Sequence, residues 1–234
     1  MIIIYRLKTG CQWRQLPMKQ FFRGKYCWQS VYYHFQKWSK DGSWEKVWNS
    51  ILEKYKYLLD LSSIQLDGTH TPAKRGGESV AYQGRKKCKT TNSLILTDNQ
   101  GVPIACSEPI AGNHNDAFEL VKTFDNMLRS VRMANISMKG LFLNADAGFD
   151  TLDFRSYCYA NDIFDNIDQN KRNGNSNAGF TAFDELLYKN RFVVERTNAW
   201  LDAFKAILVR FETNNSHWKS LLLLAFAVIL LRKL

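Results

Sequence analysis

The chain has 234 residues, of which 45% are hydrophobic and 23% charged, enough apolar material for a sizeable domain plus a smaller one and too much for a disordered chain. Its net charge of +10, from 32 Lys and Arg against 22 Asp and Glu, favours a polyanionic partner, because cations that neutralise phosphates release counterions. The five cysteines are odd in number and scattered, and the four histidines flank none of them at ligand spacing, which excludes a zinc knuckle and leaves free thiols in a reducing compartment as the simplest account.

The first sixty residues read as helical, and their start lacks signal-peptide anatomy. Trp28, Val31, Tyr32, Phe35 and Trp38 fall on one face of a helix. Asp41, Gly42 and Ser43 break that pattern and offer a cap, and Trp44, Val47, Trp48, Ile51, Leu52, Tyr55 and Leu58 form a second stripe. Such stripes are first of all core. With Arg14, Lys19, Arg23, Lys25 and Lys37 nearby, the helical hairpin is also a candidate DNA-binding module.

From residue 62 the texture becomes strand-like. Ile64, Gln65 and Leu66 alternate and run into Asp67-Gly68, where the strand is expected to close. A hairpin is predicted for 93–96 and 102–107 around Asp98-Asn99-Gln100-Gly101. Residues 117–131 have helical spacing, and Leu141, Phe142 and Leu143 form a short buried strand ending at Asp146-Ala147-Gly148. A helix over 152–160, a strand over 163–167 and an Asn/Gly-rich loop over 171–179 follow. One long helix is predicted over 188–211. The apolar run 221–231 has 11 residues, against about 20 needed to span a bilayer, and reads as a buried helix with no membrane role. Strands followed by alternating helix and strand indicate an α/β domain with a mixed sheet.

Asp67 and Asp146 each close an apolar strand with glycine close behind, and sites in α/β sheets gather at such strand ends. Glycine there permits a sharp turn or a ligand close to the backbone. Two converging carboxylates repel unless a cation lies between them, and oxygen-only ligands select hard metals such as Mg²⁺. Strand-terminal aspartates commonly do no more than start turns. Glu195 adds weight: on the long helix Val193, Trp200, Phe204, Ile207, Leu208 and Phe211 share one side, and Glu195 lies opposite with Tyr188, Arg191, Asn198, Asp202 and Lys205. That face is either solvated or turned toward a phosphodiester.

Ordered segments covering nearly the whole chain make the pattern specific. "YRLKTGCQWRQLP" with "WQSVYYHFQKW", "LDGTHTPAKRGGE", "GRKKCKTTNSLILTDNQGVPIACSEPIAGNHND", "LFLNADAGFD" and "YKNRFVVERTNAWLDAFKAILVRFE" resemble, in that order, the DDE transposases of bacterial insertion sequences, in the family numbered five. The resemblance implies an RNase H-like mixed sheet with flanking helices (61–234), preceded by a small helical region (1–60) that contacts DNA. It implies a metal-dependent enzyme that cuts and joins DNA, with Asp67, Asp146 and Glu195 holding two Mg²⁺ ions, Mn²⁺ substituting. The family's helix signature places Tyr, Arg, Glu and a final basic residue in order. Tyr188, Arg191 and Glu195 fit, but Asp202 stands at the last position, with Lys205 the nearest cation on the same face. Family members carry a few dozen more residues before "YRLKTGCQWRQLP", so the chain reads as N-terminally shortened.

Lys74, Arg75, Arg85, Lys86, Lys87, Tyr188, Arg191 and Lys205 are the candidate DNA contacts. The expected partners are double-stranded DNA, as transposon ends and target, and further copies of the chain on that DNA. The expected location is the bacterial cytoplasm, with the nucleoid. Competing readings are a nuclease of the same fold that only hydrolyses, and an inactive DNA-binding remnant.

Overall fold

A computed structural model describes residues 1–171 and 183–234. The expected loop over 171–179 therefore lies, apart from Lys171, outside the described residues. Helices α1 (Ile2–Thr9), α2 (Met18–Phe22), α3 (Trp28–Lys40) and α4 (Ser43–Tyr55) come first. Strands β1 (Ser63–Pro72), β2 (Ala81–Gln83), β3 (Cys88–Asp98), β4 (Pro103–Cys106) and β5 (Ile110–Ala111) follow. Then come α5 (Leu120–Met133), β6 (Phe142–Ala145), α6 (Leu152–Ala160), β7 (Phe164–Ile167), α7 (Glu185–Lys189), α8 (Val193–Asp202), α9 (Lys205–Leu208) and α10 (Asn215–Leu231).

Among the described residues these strands make one sheet in the order β2-β3-β1-β6-β7, with β4 and β5 also paired to β3. β1, β3 and β4 are antiparallel, whereas β6 and β7 run parallel to β1. The sheet is mixed and helix-flanked: an antiparallel meander continued by two parallel strands that need helical crossovers, supplied by α5 and α6.

Residues alternate between the two faces of the sheet. Ile64, Leu66, Leu94, Leu96, Leu143 and Ala145 lie on one face, all at most 3% exposed, in a core with Phe124, Phe154, Trp218 and Phe226. Phe35, Trp48 and Leu52 of the N-terminal helices belong to the same core, and the Trp48 indole donates to the Ile104 carbonyl at 3.2 Å. The N-terminal region is thus packed onto the sheet domain. α10 contributes twelve buried residues to the structure, and no helix among the described residues is long and apolar enough to cross a membrane.

The opposite face is polar. Gln65, Asn144 and Asn166 stand in register on β1, β6 and β7 and are almost completely buried. Asn166 Nδ2 donates to Asn144 Oδ1 at 2.7 Å, and Asn144 Nδ2 donates to Gln65 Oε1 at 2.8 Å. The ladder also holds the chain entering α7. Asn144 Nδ2 donates to the Leu187 carbonyl at 3.1 Å, while Asn166 donates to the Asp184 carbonyl and accepts from the Asp184 amide.

Two expectations are corrected. β1 does not close at Asp67 but continues to Pro72, because Thr69, His70 and Thr71 pair with Ser93, Asn92 and Thr91 of β3. The long helix over 188–211 is three pieces, α7, α8 and α9. Phe204 takes an extended conformation (φ −96°, ψ 98°) between α8 and α9, its side chain fully buried. The stripe inferred for one straight helix therefore does not exist: Val194, Thr197 and Leu201 are the buried face of α8, and Leu208 and Phe211 are exposed.

Candidate active site

Leu66 pairs with Ala145, so Asp67 and Asp146 are the next residues on adjacent parallel strands. Each stands two residues beyond a member of the amide ladder, which places both on the polar face. Asp146 leaves the sheet at this point. Its Oδ1 accepts from the Gly148 amide at 2.8 Å and caps a single 3-10 turn, so one oxygen is tied to the backbone. The turn-starting role of a strand-terminal aspartate is real here and leaves the other oxygen uncommitted to that turn.

Asp67 is pushed up to about 6 by burial first, then by the neighbouring Asp146 carboxylate, with Asp116 adding to the effect and the Arg191 guanidinium opposing it. Burial and the neighbouring negative charges thus disfavour the ionised form of Asp67. Arg191 reaches this neighbourhood from a 3-10 turn, Asn190–Phe192, between α7 and α8, with its guanidinium 5.5 Å from the Tyr188 ring centre. The Tyr188 phenol is held above its usual range, by burial first and by the charges of Asp168 and Asp146, against the Arg191 guanidinium.

α8 is fixed from two sides. Thr197 Oγ1 donates to the Gly101 carbonyl at 2.6 Å in the β3–β4 turn, and Thr69 Oγ1 of β1 donates to Asn198 Oδ1 at 3.1 Å. Gly101 has φ +83°, and a Cβ there would lie 2.8 Å from the Val193 carbonyl oxygen, so only glycine fits between turn and helix. Glu195 lies four residues after Arg191 and three before Asn198, on the same helical stripe, but its side chain is exposed. It is absent from the charges that shift Asp67. Among the described residues no group of three or more His, Cys, Asp or Glu side chains is gathered tightly enough to hold a metal ion. The structure brings Asp67, Asp146 and Arg191 together and leaves Glu195 at the rim.

Two carboxylates escaped the sequence reading. Asp168 follows the Ala145–Ile167 pair, giving a row Asp67, Asp146, Asp168 across three parallel strands. Its signal was present, as an aspartate directly after a short predicted strand. Asp116 had none: it lies far along the chain, accepts from Asn92 Nδ2 at 2.7 Å, and rests against Gly68.

Lys74, Arg75, Arg85, Lys86 and Lys87 are all exposed. β2 and β3 pair beside the end of β1, so the turn carrying Arg85, Lys86 and Lys87 lies next to the segment carrying Lys74 and Arg75. Lys86 Nζ donates to the His70 carbonyl at 2.8 Å, three residues from Asp67. Lys205 departs from this group and from the expected helix face. The break at Phe204 puts it on α9, its backbone 3.0 Å from where a Cβ on Gly10 would stand.

Residues 55–230 match the sequence model described as a transposase DDE domain, and residues 1–48 match that of a transposase region of the IS4/5 family. No curated protein matches the chain. Among solved structures, the Mos1 transposase paired-end complex with left transposon end is 11% identical, with 86% of this chain and 75% of that one covered and a TM-score of 0.34. A pre-cleavage Mos1 transpososome is 12% identical over 99% and 77% of the two chains, with a TM-score of 0.36. The Mos1 strand transfer complex is 14% identical over 96% and 74%, with a TM-score of 0.35.

Proposed function

The chain belongs to the transposase DDE domain family, and from that premise we propose that Asp67, Asp146 and Glu195 are the residues with which this DNA transposase cuts and joins strands. The carrying observation is the placement of Asp67 and Asp146 side by side on parallel strands, on one polar face, with Arg191 beside them.

The family works with divalent metal ions, and two Mg²⁺ ions, or Mn²⁺ in their place, are the assignment for this donor set. When bound, they supply the Lewis acidity that activates an attacking oxygen and stabilises a departing one. Asp67 and Asp146 supply carboxylate oxygens from a rigid sheet. Glu195, exposed on the stripe between Arg191 and Asn198, is free to turn inward as the third donor. Arg191 presents a fixed cation on the Asp67 side, suited to a non-bridging oxygen of the scissile phosphate. Water attacks in the first cut and a DNA 3′-OH in joining, with no covalent protein intermediate.

Lys74, Arg75, Arg85, Lys86 and Lys87 hold duplex backbone beyond Asp67, with Tyr188 at the site itself. Lys205 contributes from the α1 side. We assign 1–60 as a helical region that contacts DNA and 61–234 as the catalytic domain. The working form is an assembly of copies on transposon ends and target, in the bacterial cytoplasm with the nucleoid. A strand-transfer assay tests the function. Incubation with DNA bearing the element's ends and a plasmid should give both nicked and joined products with Mg²⁺, none with EDTA, and undiminished products with a zinc-selective chelator. Cutting without any joining would make the protein a hydrolytic nuclease.

A further inference from the structure

A cavity lies away from the carboxylates, between the N-terminal helices and the segment after α9. It measures about 810 Å³, within the roughly 300–1,000 Å³ of small-ligand sites and too small for a duplex. Its walls include Trp13, Trp28 and Tyr32, together with Arg6, Arg14 and Arg75. The three rings are half-buried, so each keeps an open portion, and they form a continuous patch. Trp13 and Tyr32 have centroids 5.1 Å apart, and Trp28 and Tyr32 6.5 Å.

Arg6 is 5% exposed and has its guanidinium 4.9 Å from the Trp13 ring centre. Its Nη2 donates to Glu212 Oε1 at 2.7 Å, yet Nε and Nη1 find no partner among the described residues. Those two donors have almost no accessible surface, so Arg6 shapes the wall behind Trp13 and the contacts open to a ligand are the rings and the outer arginines. Glu212 does not cancel the site, because its Oε1 is taken by Arg6 and by the Trp13 indole at 3.3 Å. Arg14 and Arg75 remain as exposed cations on the walls. Arg75 belongs to the basic cluster at the end of β1, so a strand held there passes the mouth of the cleft.

We propose that this cleft takes one unpaired nucleotide of the DNA substrate, its base against Trp13, Trp28 and Tyr32 and its phosphate between Arg14 and Arg75. Aromatic faces with cations alongside are the means by which proteins hold unstacked bases without reading their sequence. The inference rests on DNA being the partner, as proposed above.

The test uses the full chain and two duplexes that differ only in one unpaired 2-aminopurine. The expected result is about tenfold tighter binding of the duplex with the unpaired base, with a change in its fluorescence on binding. Trp28→Leu should bring the two affinities to one value. Equal affinities and unchanged fluorescence for the wild type, with the paired duplex still bound, would overturn the nucleotide cleft and leave the transposase reading standing. Failure to bind either duplex would overturn the reading of DNA as partner, and this proposal with it.

Discussion

The Asp116 carboxylate occupies the space that a side chain at Gly68 would need: a Cβ on Gly68 would lie 2.2 Å from Asp116 Oδ1. Gly68 sits inside β1, paired with Leu94, and makes no turn. Glycine is needed at this position because a long-range partner rests on the strand next to Asp67. Gly68→Ala should displace Asp116, break its bond to Asn92 and lower stability by about 1–3 kcal/mol. Adding Asp116→Ala should recover most of that loss. Thermal melts of the single and double variants check this, and an unchanged Tm for Gly68→Ala would refute it.

Asp67 carries a pH signature. Its folded-state value is raised to about 6 from an ordinary 3.8, so the unfolded chain releases the proton first. The contribution of Asp67 to stability is therefore full below about pH 4 and is lost as pH rises toward 6. Without metal, Asp67→Asn should be more stable than wild type at pH 7, by up to roughly 2–3 kcal/mol at 1.36 kcal/mol per unit. Stabilisation by Mn²⁺ should grow as pH passes 6 and be weak at pH 5. Melts at both pH values, with and without Mn²⁺, decide the matter; a pH-independent difference between variant and wild type would contradict it.

The Gln65–Asn144–Asn166 ladder makes a third prediction. Asn144 links a neighbouring strand on each side to the Leu187 carbonyl. Asn144→Leu would leave buried acceptors and a donor unmatched, at a cost of about 2–4 kcal/mol. Because the ladder holds the chain leading to Tyr188 and Arg191, protease should cut that segment sooner in the variant. Wild-type Tm with unaltered cleavage near 184–191 would show that the ladder does not hold it.

How legible this was depended on the range of the interactions. The hairpin around Asp98 to Gly101, the helix at 152–160 and the Asp67 and Asp146 strands were readable from period and turn residues. Gly-Thr-His-Thr-Pro after Asp67 looks like a turn, yet its pairing with Thr90 to Leu94 extends the strand. The stretch from Ala199 to Phe211 has helical spacing throughout. Burial of Phe204 and close packing of α9 on Gly10 override it, and neither contact leaves a local trace. Asp168 was readable as a third strand-end aspartate; Asp116 was not, since only the fold brings it to Gly68.

The basic residues should separate into two roles. Lys86 bonds to the β1 backbone at the basic end of the sheet, whereas Arg191 acts on Asp67. Lys86→Ala should weaken duplex binding for all sequences and lower the log–log salt slope by about 0.9. Arg191→Ala should reduce cleavage more than binding. Salt titrations with single-turnover cleavage of both variants check this; identical behaviour of the two would return them to a common solvated surface.

The most direct test of the carboxylate site is single-turnover cleavage of transposon-end DNA with Mg²⁺, comparing wild type with Asp67→Asn, Asp146→Asn and Glu195→Gln at saturating protein. Each substitution should lower the cleavage rate by at least about a thousandfold, roughly 4 kcal/mol of transition-state stabilisation, while DNA binding stays within a few-fold of wild type. Wild-type cleavage by Asp67→Asn or Asp146→Asn would contradict the account outright, and wild-type cleavage by Glu195→Gln would remove the exposed glutamate from the site.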